Sequence, residues 1–359
     1  MRHCSNTLLA GARYILLFSA AALPLTAQDT PAAQAQGPPL TVDRDPVRSP
    51  EGDGPHAQRP SVEKEGNQFV LRADVEEVSL NATVLDGSGH LVQDLQKDNF
   101  QVYEDGVKQN IISFQHTDLP VSIALVVDNS GSMSKKRPSV NKSAVDLVEA
   151  SNPHDEAFVV NFSDEAFIDQ EFTSDINKLR DGLAHIESRG GTALYDAVVA
   201  SADKLAADAK RPKQVLVIIT DGEDNASTLN LEQTIRRVQQ LSGPVIYSIG
   251  LLFGDEMSRS EVRHARRALE MLSTETGGIA FFPKNIEQVD QIAAEVARDI
   301  RSQYTIGYHS TKASTVPGFR RVQVDAEENG HSRLTVRTRT GYFPVVSQRK
   351  KTTRARNEP

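Results

Sequence analysis

Val121-Ser122-Ile123-Ala124-Leu125-Val126-Val127-Asp128-Asn129-Ser130-Gly131-Ser132 is an apolar run that ends in a small polar turn. A run of this length that is nearly apolar throughout reads as a strand buried on both faces, the kind that parallel sheets contain. The turn at its end carries carboxylate, amide and hydroxyl oxygens out of the sheet, where a hard cation would sit. Two further segments fit the same place. Ser188-Arg189-Gly190-Gly191-Thr192 opens a helical run, and Thr220-Asp221-Gly222-Glu223-Asp224 closes a second apolar stretch, Val215 to Ile219. Together the three segments offer one cation both hydroxyls and carboxylates.

Outward from this stretch, strands alternate with helices. Apolar strands are expected at 121–127, 156–162, 214–220 and 244–251, with a shorter one near Gly278 to Phe282. Amphipathic runs separate them at 139–150, 175–187, 194–209, 230–241, 260–274 and 285–301, and Phe167 to Phe172 reads as an antiparallel edge strand. Buried strands joined by helices predict an α/β fold with a doubly wound, mostly parallel sheet. In such sheets ligands bind beyond the carboxyl ends of the strands, where Asp128 and Asp221 both fall.

The flanks are β. Val75, Val78, Leu80, Ala82 and Val84 alternate with period two, Asp86-Gly87-Ser88-Gly89 makes a turn, and Leu91 to Leu95, Phe100 to Tyr103 and Val107 to Phe114 continue in short pieces. Glu104-Asp105-Gly106 is a hairpin signal. After the last helix, Tyr304 to Tyr308, Phe319 to Ala326 and Leu334 to Arg339 return to β, with Glu328-Asn329-Gly330 as a turn. Two separate β appendages would each lack a core. The expectation is therefore an α/β domain at 118–301 inserted into a small β-sandwich built from 67–117 and 302–346.

Arg2 and Arg13, the apolar stretch Tyr14 to Leu25 and the small-residue site Leu25-Thr26-Ala27 read as a secretory signal over 1–27. The apolar run is shorter than the ~20 residues of a spanning helix, so the mature chain is expected to have no membrane span and to be exported, periplasmic or extracellular. Residues 28–66, rich in Pro, Ala, Gln and charge, read as a disordered linker, and 347–359 as a basic flexible tail. Cys4, the single cysteine, lies in the signal, which excludes thiolate metal sites and cysteine nucleophiles from the mature chain. The formal net charge of −8 becomes −10 without Arg2 and Arg13, which argues against nucleic acid as a partner.

In order and spacing, Asp128-Asn129-Ser130-Gly131-Ser132, Gly190-Gly191-Thr192 and Thr220-Asp221-Gly222 resemble the metal-ion-dependent adhesion site of von Willebrand factor type A domains. Asp98-Asn99-Phe100, Glu104-Asp105-Gly106-Val107 and Gly341-Tyr342-Phe343 resemble a bacterial secreted subfamily related to those domains. The resemblance implies that Ser130, Ser132 and Thr192 place hydroxyls on a divalent cation while Asp128 and Asp221 act mostly through water. It also implies that the final helix, which runs straight into Tyr304, can shift when a ligand carboxylate completes the ion's shell. Oxygen-only donors without His or Cys suit Mg²⁺, with Mn²⁺ or Ca²⁺ as alternatives.

Each residue has a plainer role open to it: Asp128 and Asp221 as turn caps, Ser130, Ser132 and Thr192 as helix caps. Glu223, Asp224 and Asn225 are not counted as ligands. The leading functional expectation is a non-enzymatic, metal-dependent protein-binding module whose protein partner supplies an Asp or Glu carboxylate. A structural module with a stabilising ion is the first alternative. A metal-dependent hydrolase is the second, for which the sequence shows no general base or histidine constellation near the three loops.

Overall fold

The computed structural model describes residues 62–65, 68–71, 77–184, 188–241, 243–254, 257–328 and 334–344, all within one compact unit. The expected signal, nearly all of the expected linker, Val75, Asn329-Gly330 and the basic tail lie outside the described residues. Strands β1 (Val62–Glu65) and β2 (Gln68–Leu71) form an antiparallel pair. The linker reading therefore does not hold for those first four residues, whose alternating Val-Glu-Lys-Glu carries too little apolar weight to announce a strand.

Four strands follow: β3 (Glu77–Leu85), β4 (Phe100–Glu104), β5 (Val107–Gln109) and β6 (Ile111–Gln115). Asp105 and Gly106 have φ values of 50° and 81°, the left-handed pair that closes the two-residue β4–β5 hairpin. The expected piece at 107–114 breaks at Asn110, and its halves join different sheets. Leu91 to Leu95 is not a strand beyond a single bridge from Leu85 to Leu91. Val92 and Leu95 are buried, yet the Tyr304 hydroxyl takes their backbone groups, donating to the Val92 carbonyl at 2.9 Å and accepting from Leu95 N–H at 3.2 Å. A side chain there replaces a neighbouring strand.

The α/β part comprises β7 (Val121–Asp128), α1 (Arg137–Glu149), β8 (Glu156–Phe162), β9 (Ala166–Thr173), α2 (Ile176–Leu183), α3 (Leu194–Asp208), β10 (Lys213–Thr220), α4 (Leu231–Gln240), β11 (Val245–Gly250), α5 (Arg259–Thr276), β12 (Ala280–Phe281) and α6 (Val289–Arg301). Its sheet runs β12-β11-β10-β7-β8-β9, parallel except for the antiparallel edge strand β9. All eight residues of β7 are buried. Ile123, Leu125 and Val127 pack with side chains of α1, α2 and α6, whereas Ala124 and Val126 pack with those of α3, α4 and α5. Period-two alternation thus serves two cores, which is why the strand looks uniformly apolar in sequence. Because β8 and β9 continue on one side of β7 and β10 to β12 on the other, the chain reverses direction between β7 and β10.

Beyond α6 come β13 (Tyr304–His309), β14 (Arg320–Ala326), β15 (Thr335–Arg337) and β16 (Gly341–Tyr342). Two antiparallel sheets, β15-β3-β13-β6 and β16-β14-β4-β5, each draw strands from both sides of the α/β part. They share one core that includes Leu80, Val102, Ile306, Tyr308, Val322 and Val324. The fold is α/β with a mostly parallel central sheet and flanking antiparallel sheets.

Only Ser302 and Gln303 separate α6 from β13. The junction is tied by polar contacts. Asp299 on α6 pairs with Arg337 on β15 at 2.6 Å and accepts from the Tyr247 hydroxyl at 2.5 Å, while Lys213 Nζ donates to the Ile300 carbonyl at 2.8 Å. Burial pushes the Lys213 ammonium down to about 8 despite the nearby carboxylates of Asp118, Asp155 and Asp299. An unfolded lysine keeps its proton to about pH 10.4, so between these values the unfolded chain binds more protons and stability rises with pH. The prediction is that the stability of the wild type relative to Lys213→Met increases from pH 8 to pH 10.5 and is flat between pH 6 and 7. Urea unfolding at each pH measures it.

Candidate metal centre

Parallel pairing of β7 with β10 in the register Val127↔Ile219 sets Asp128 and Thr220 side by side at the strand ends. Asp128 is fully buried. One carboxylate oxygen accepts from Ser130 N–H at 2.7 Å and the other from the Thr220 hydroxyl at 2.6 Å. Desolvation pushes its carboxyl up to about 6, against the pull of those hydrogen bonds, and the charge of Asp221 pushes the same way. The turn role foreseen for Asp128 is therefore real, because the Ser130 N–H bond folds the chain sharply back. Ser130 occupies the position before a 3₁₀ turn, Gly131–Lys135, but its side chain makes no capping hydrogen bond. Its hydroxyl lies instead 3.2 Å from that of Ser132.

Ser132 reaches the third loop. Its hydroxyl donates to Asp221 Oδ1 at 2.7 Å, and Lys136 Nζ donates to Asp221 Oδ2 at 2.6 Å. Thr192 is buried, and the helix behind it starts from Ala193 with no side-chain cap, so the capping role does not apply to Thr192. Its hydroxyl would stand 3.2 Å from a Cβ placed on Gly222, which lays it against the Asp221 loop. The five sequence candidates Asp128, Ser130, Ser132, Thr192 and Asp221 thus converge on the β7/β10 crevice.

Three backbone hydrogen-bond donors and one close glycine approach make this possible. Asn129 N–H donates to the Phe162 carbonyl, Arg189 N–H to the Asn129 carbonyl and Gly191 N–H to Asp164 Oδ1, stitching the loops together. Gly190 has φ 80°, and a Cβ there would meet the Asp164 carboxylate at 2.3 Å, so only glycine brings this loop close enough. Asn225 clamps Thr192 from both sides, accepting from its N–H at 2.9 Å and donating to its carbonyl at 3.0 Å.

Beside the candidates opens a cleft of about 220 Å³ lined by Ser132, Lys136, Thr192, Asp221, Phe253 and Met257, among others. The oxygen donors on its floor fit a hard divalent ion, and Asp221 already holds a positive charge there in the form of the Lys136 ammonium. Sequence reasoning missed Lys136, Asp164, the Thr220 hydroxyl and the Asn225 clamp. Lys136 carried a signal, since Lys136 and Arg137 at a helix N-terminus oppose its dipole and therefore call for acceptors. Arg137, buried, finds Asn161 Oδ1 at 2.9 Å and the Leu183 carbonyl at 3.1 Å. The structure also brings His264 to Glu223 at the rim, 3.1 Å apart, a pairing hidden by their separation of 41 positions; the imidazole is exposed and does not line the cleft.

Residues 123–223 match the family model of the von Willebrand factor type A domain. This chain contains a von Willebrand factor type A domain. Inter-alpha-trypsin inhibitor heavy chain H4 of Bos taurus is 21% identical over 268 residues, 69% of this chain and 26% of that protein, so the chain spans about a quarter of its length. Among solved structures, the von Willebrand factor type A protein from Catenulispora acidiphila is 13% identical with a TM-score of 0.42, covering 74% of this chain and 73% of that one. Proximal thread matrix protein 1 from the mussel byssus, with a zinc-occupied MIDAS motif, is 18% identical with a TM-score of 0.42, covering 56% and 50%.

Thr220→Val removes the donor to Asp128 Oδ2 and leaves a buried carboxylate oxygen without a partner. It should cost about 1–3 kcal/mol. The midpoint and slope of urea unfolding check this, with the slope unchanged.

Proposed function

We propose that the chain is an exported, non-enzymatic protein-binding module in which a divalent cation at Asp128, Ser130, Ser132, Thr192 and Asp221 captures an Asp or Glu side chain of a partner protein. The observation that carries the reading is the convergence of three separated loops on one oxygen-lined crevice, with Ser130, Ser132 and Asp221 in a continuous hydrogen-bonded row. Thr192 completes the set from the second loop. All donors are oxygen, which favours Mg²⁺ over softer ions, with Mn²⁺ or Ca²⁺ as alternatives. When bound, the ion would supply a Lewis-acidic position that a carboxylate can fill.

The chain's own residues prepare that position. Neutral hydroxyls from Ser130, Ser132 and Thr192 would leave much of the ion's charge uncancelled. Asp128, held by Thr220 and the Ser130 N–H, keeps the first loop in shape and contributes negative potential from beneath. No helix among the described residues is long and apolar enough to cross a membrane.

Calorimetric titration with Mg²⁺, repeated after EDTA, tests the reading. The wild type should bind one ion, and Asp128→Ala and Ser132→Ala should each weaken binding by about tenfold or more while circular dichroism stays at wild-type values. A chain that binds ion but no carboxylate-bearing protein, tested on the exported proteins of its source with Mg²⁺ and with EDTA, would instead have a purely stabilising ion. Undiminished Mg²⁺ binding by Asp128→Ala would sink the site assignment.

A further inference from the structure

We propose that Lys136 is the site's resident cation, a displaceable ammonium that competes with the divalent ion for Asp221 and thereby sets how tightly the ion is held. The inference rests on the divalent-ion reading of the crevice and adds a residue to it.

The Asp221 side chain is completely buried, and Lys136, 15% exposed, places its ammonium 2.6 Å from Oδ2. A buried carboxylate without a counter-charge is costly, so the chain carries its own. The other oxygen, Oδ1, accepts from Ser132, one of the hydroxyls that would face the ion. Any ion held by Ser130, Ser132 and Thr192 therefore comes up against a carboxylate that an ammonium already neutralises. Two cations this close in a partly desolvated cleft repel strongly, and one must leave. Breaking the Lys136 pair is part of the free energy of binding the ion, so the site holds its ion more weakly than its oxygen donors alone would.

Lys136 already has a second partner beside Asp221. Its ammonium lies 5.5 Å from the centre of the Phe253 ring, and Phe253 lines the same cleft as Asp221. A cation over an aromatic face is held even without a carboxylate. The backbone of Lys136 is fixed where the 3₁₀ turn meets α1, so the side chain can only swing. Released from Asp221 while keeping its contact with Phe253, the ammonium would stand within the cleft and offer a donor to the incoming carboxylate. The residue that opposes the ion's entry would then assist carboxylate capture once the ion is held.

Mg²⁺ titration of the full chain, its Lys136→Met and Lys136→Gln variants, together with the rate at which an N-hydroxysuccinimide ester acylates Lys136 in the wild type, tests this. The expected result is Mg²⁺ affinity at least about tenfold higher in both variants, about 1.4 kcal/mol, and faster acylation of wild-type Lys136 when Mg²⁺ is present. Ion binding by the variants but not by the wild type would support the proposal more strongly still. Equal or weaker binding by both variants, with acylation unaffected by Mg²⁺, overturns the role of Lys136 while leaving the metal site standing. Absence of Mg²⁺ binding in all three chains overturns both.

Discussion

The pairing of β7 with β10 is the contact on which the rest of the structure depends. Both strands are buried on both faces, so neither amphipathic alternation nor solvent fixes their register; the ladder of backbone hydrogen bonds does. That ladder ends with Val127 opposite Ile219, and the next residues, Asp128 and Thr220, are joined by a 2.6 Å hydrogen bond. A slip of one residue would separate the carboxylate from the hydroxyl and carry Asp221 away from Ser132. The crevice at the chain reversal, the three converging loops and the charge pattern all follow from this one alignment.

Electrostatics then organises the loops. Two aspartates, both buried, with the charge of Asp221 raising the proton affinity of Asp128, need positive charge or hydrogen-bond donors, and the chain provides both. Asp128 is supplied by the backbone and a threonine, whereas Asp221 is supplied by a serine and a lysine. The difference matters because hydroxyl and amide donors are fixed in place by the fold, while a lysine on a flexible stem can move. Asp128 is thus the built-in member of the pair and Asp221 the responsive one.

Much of this was legible in the sequence. Apolar runs ending at Asp128 and Asp221 located both strands within a residue or two, and the Gly-Gly-Thr segment located the loop between them in sequence. The Asp-Gly pair at 105–106 announced the hairpin, because few residue pairs accept two positive φ values in succession. Illegible were contacts between residues far apart in sequence with no local pattern: the Tyr304 hydroxyl that satisfies Val92 and Leu95, the Asn225 clamp on Thr192, the His264–Glu223 pair. Leu91 to Leu95 misled because alternation records burial, not pairing. Val107 to Phe114 misled because a strand that turns a corner between two sheets keeps its apolar content while changing partners.

The junction bears on whether an event at the crevice can be felt in the sandwich. The final helix enters β13 after two residues, which would transmit any shift of α6 directly. The end of α6 is bound to its surroundings: Asp299 to Arg337 and Tyr247, the Ile300 carbonyl to Lys213, and Ile300 itself fully buried in the core against the sheet. Disrupting a buried ion pair alone costs on the order of 3–5 kcal/mol. A ligand can drive such a change only by its difference in affinity between two arrangements. The coupling therefore has two limits. If Asp299 and Arg337 move together with α6, the pair is carried along and little is lost. If α6 slides past β15, the ligand must favour the shifted form by several hundredfold or more before the shift is populated. The short connection and the shared ion pair together favour the first: the sandwich strands nearest α6 would travel with it as one body, and the strain would fall on the second connection, residues 116–120 between β6 and β7, which Asp118 ties to Arg301 at the end of α6 at 3.0 Å.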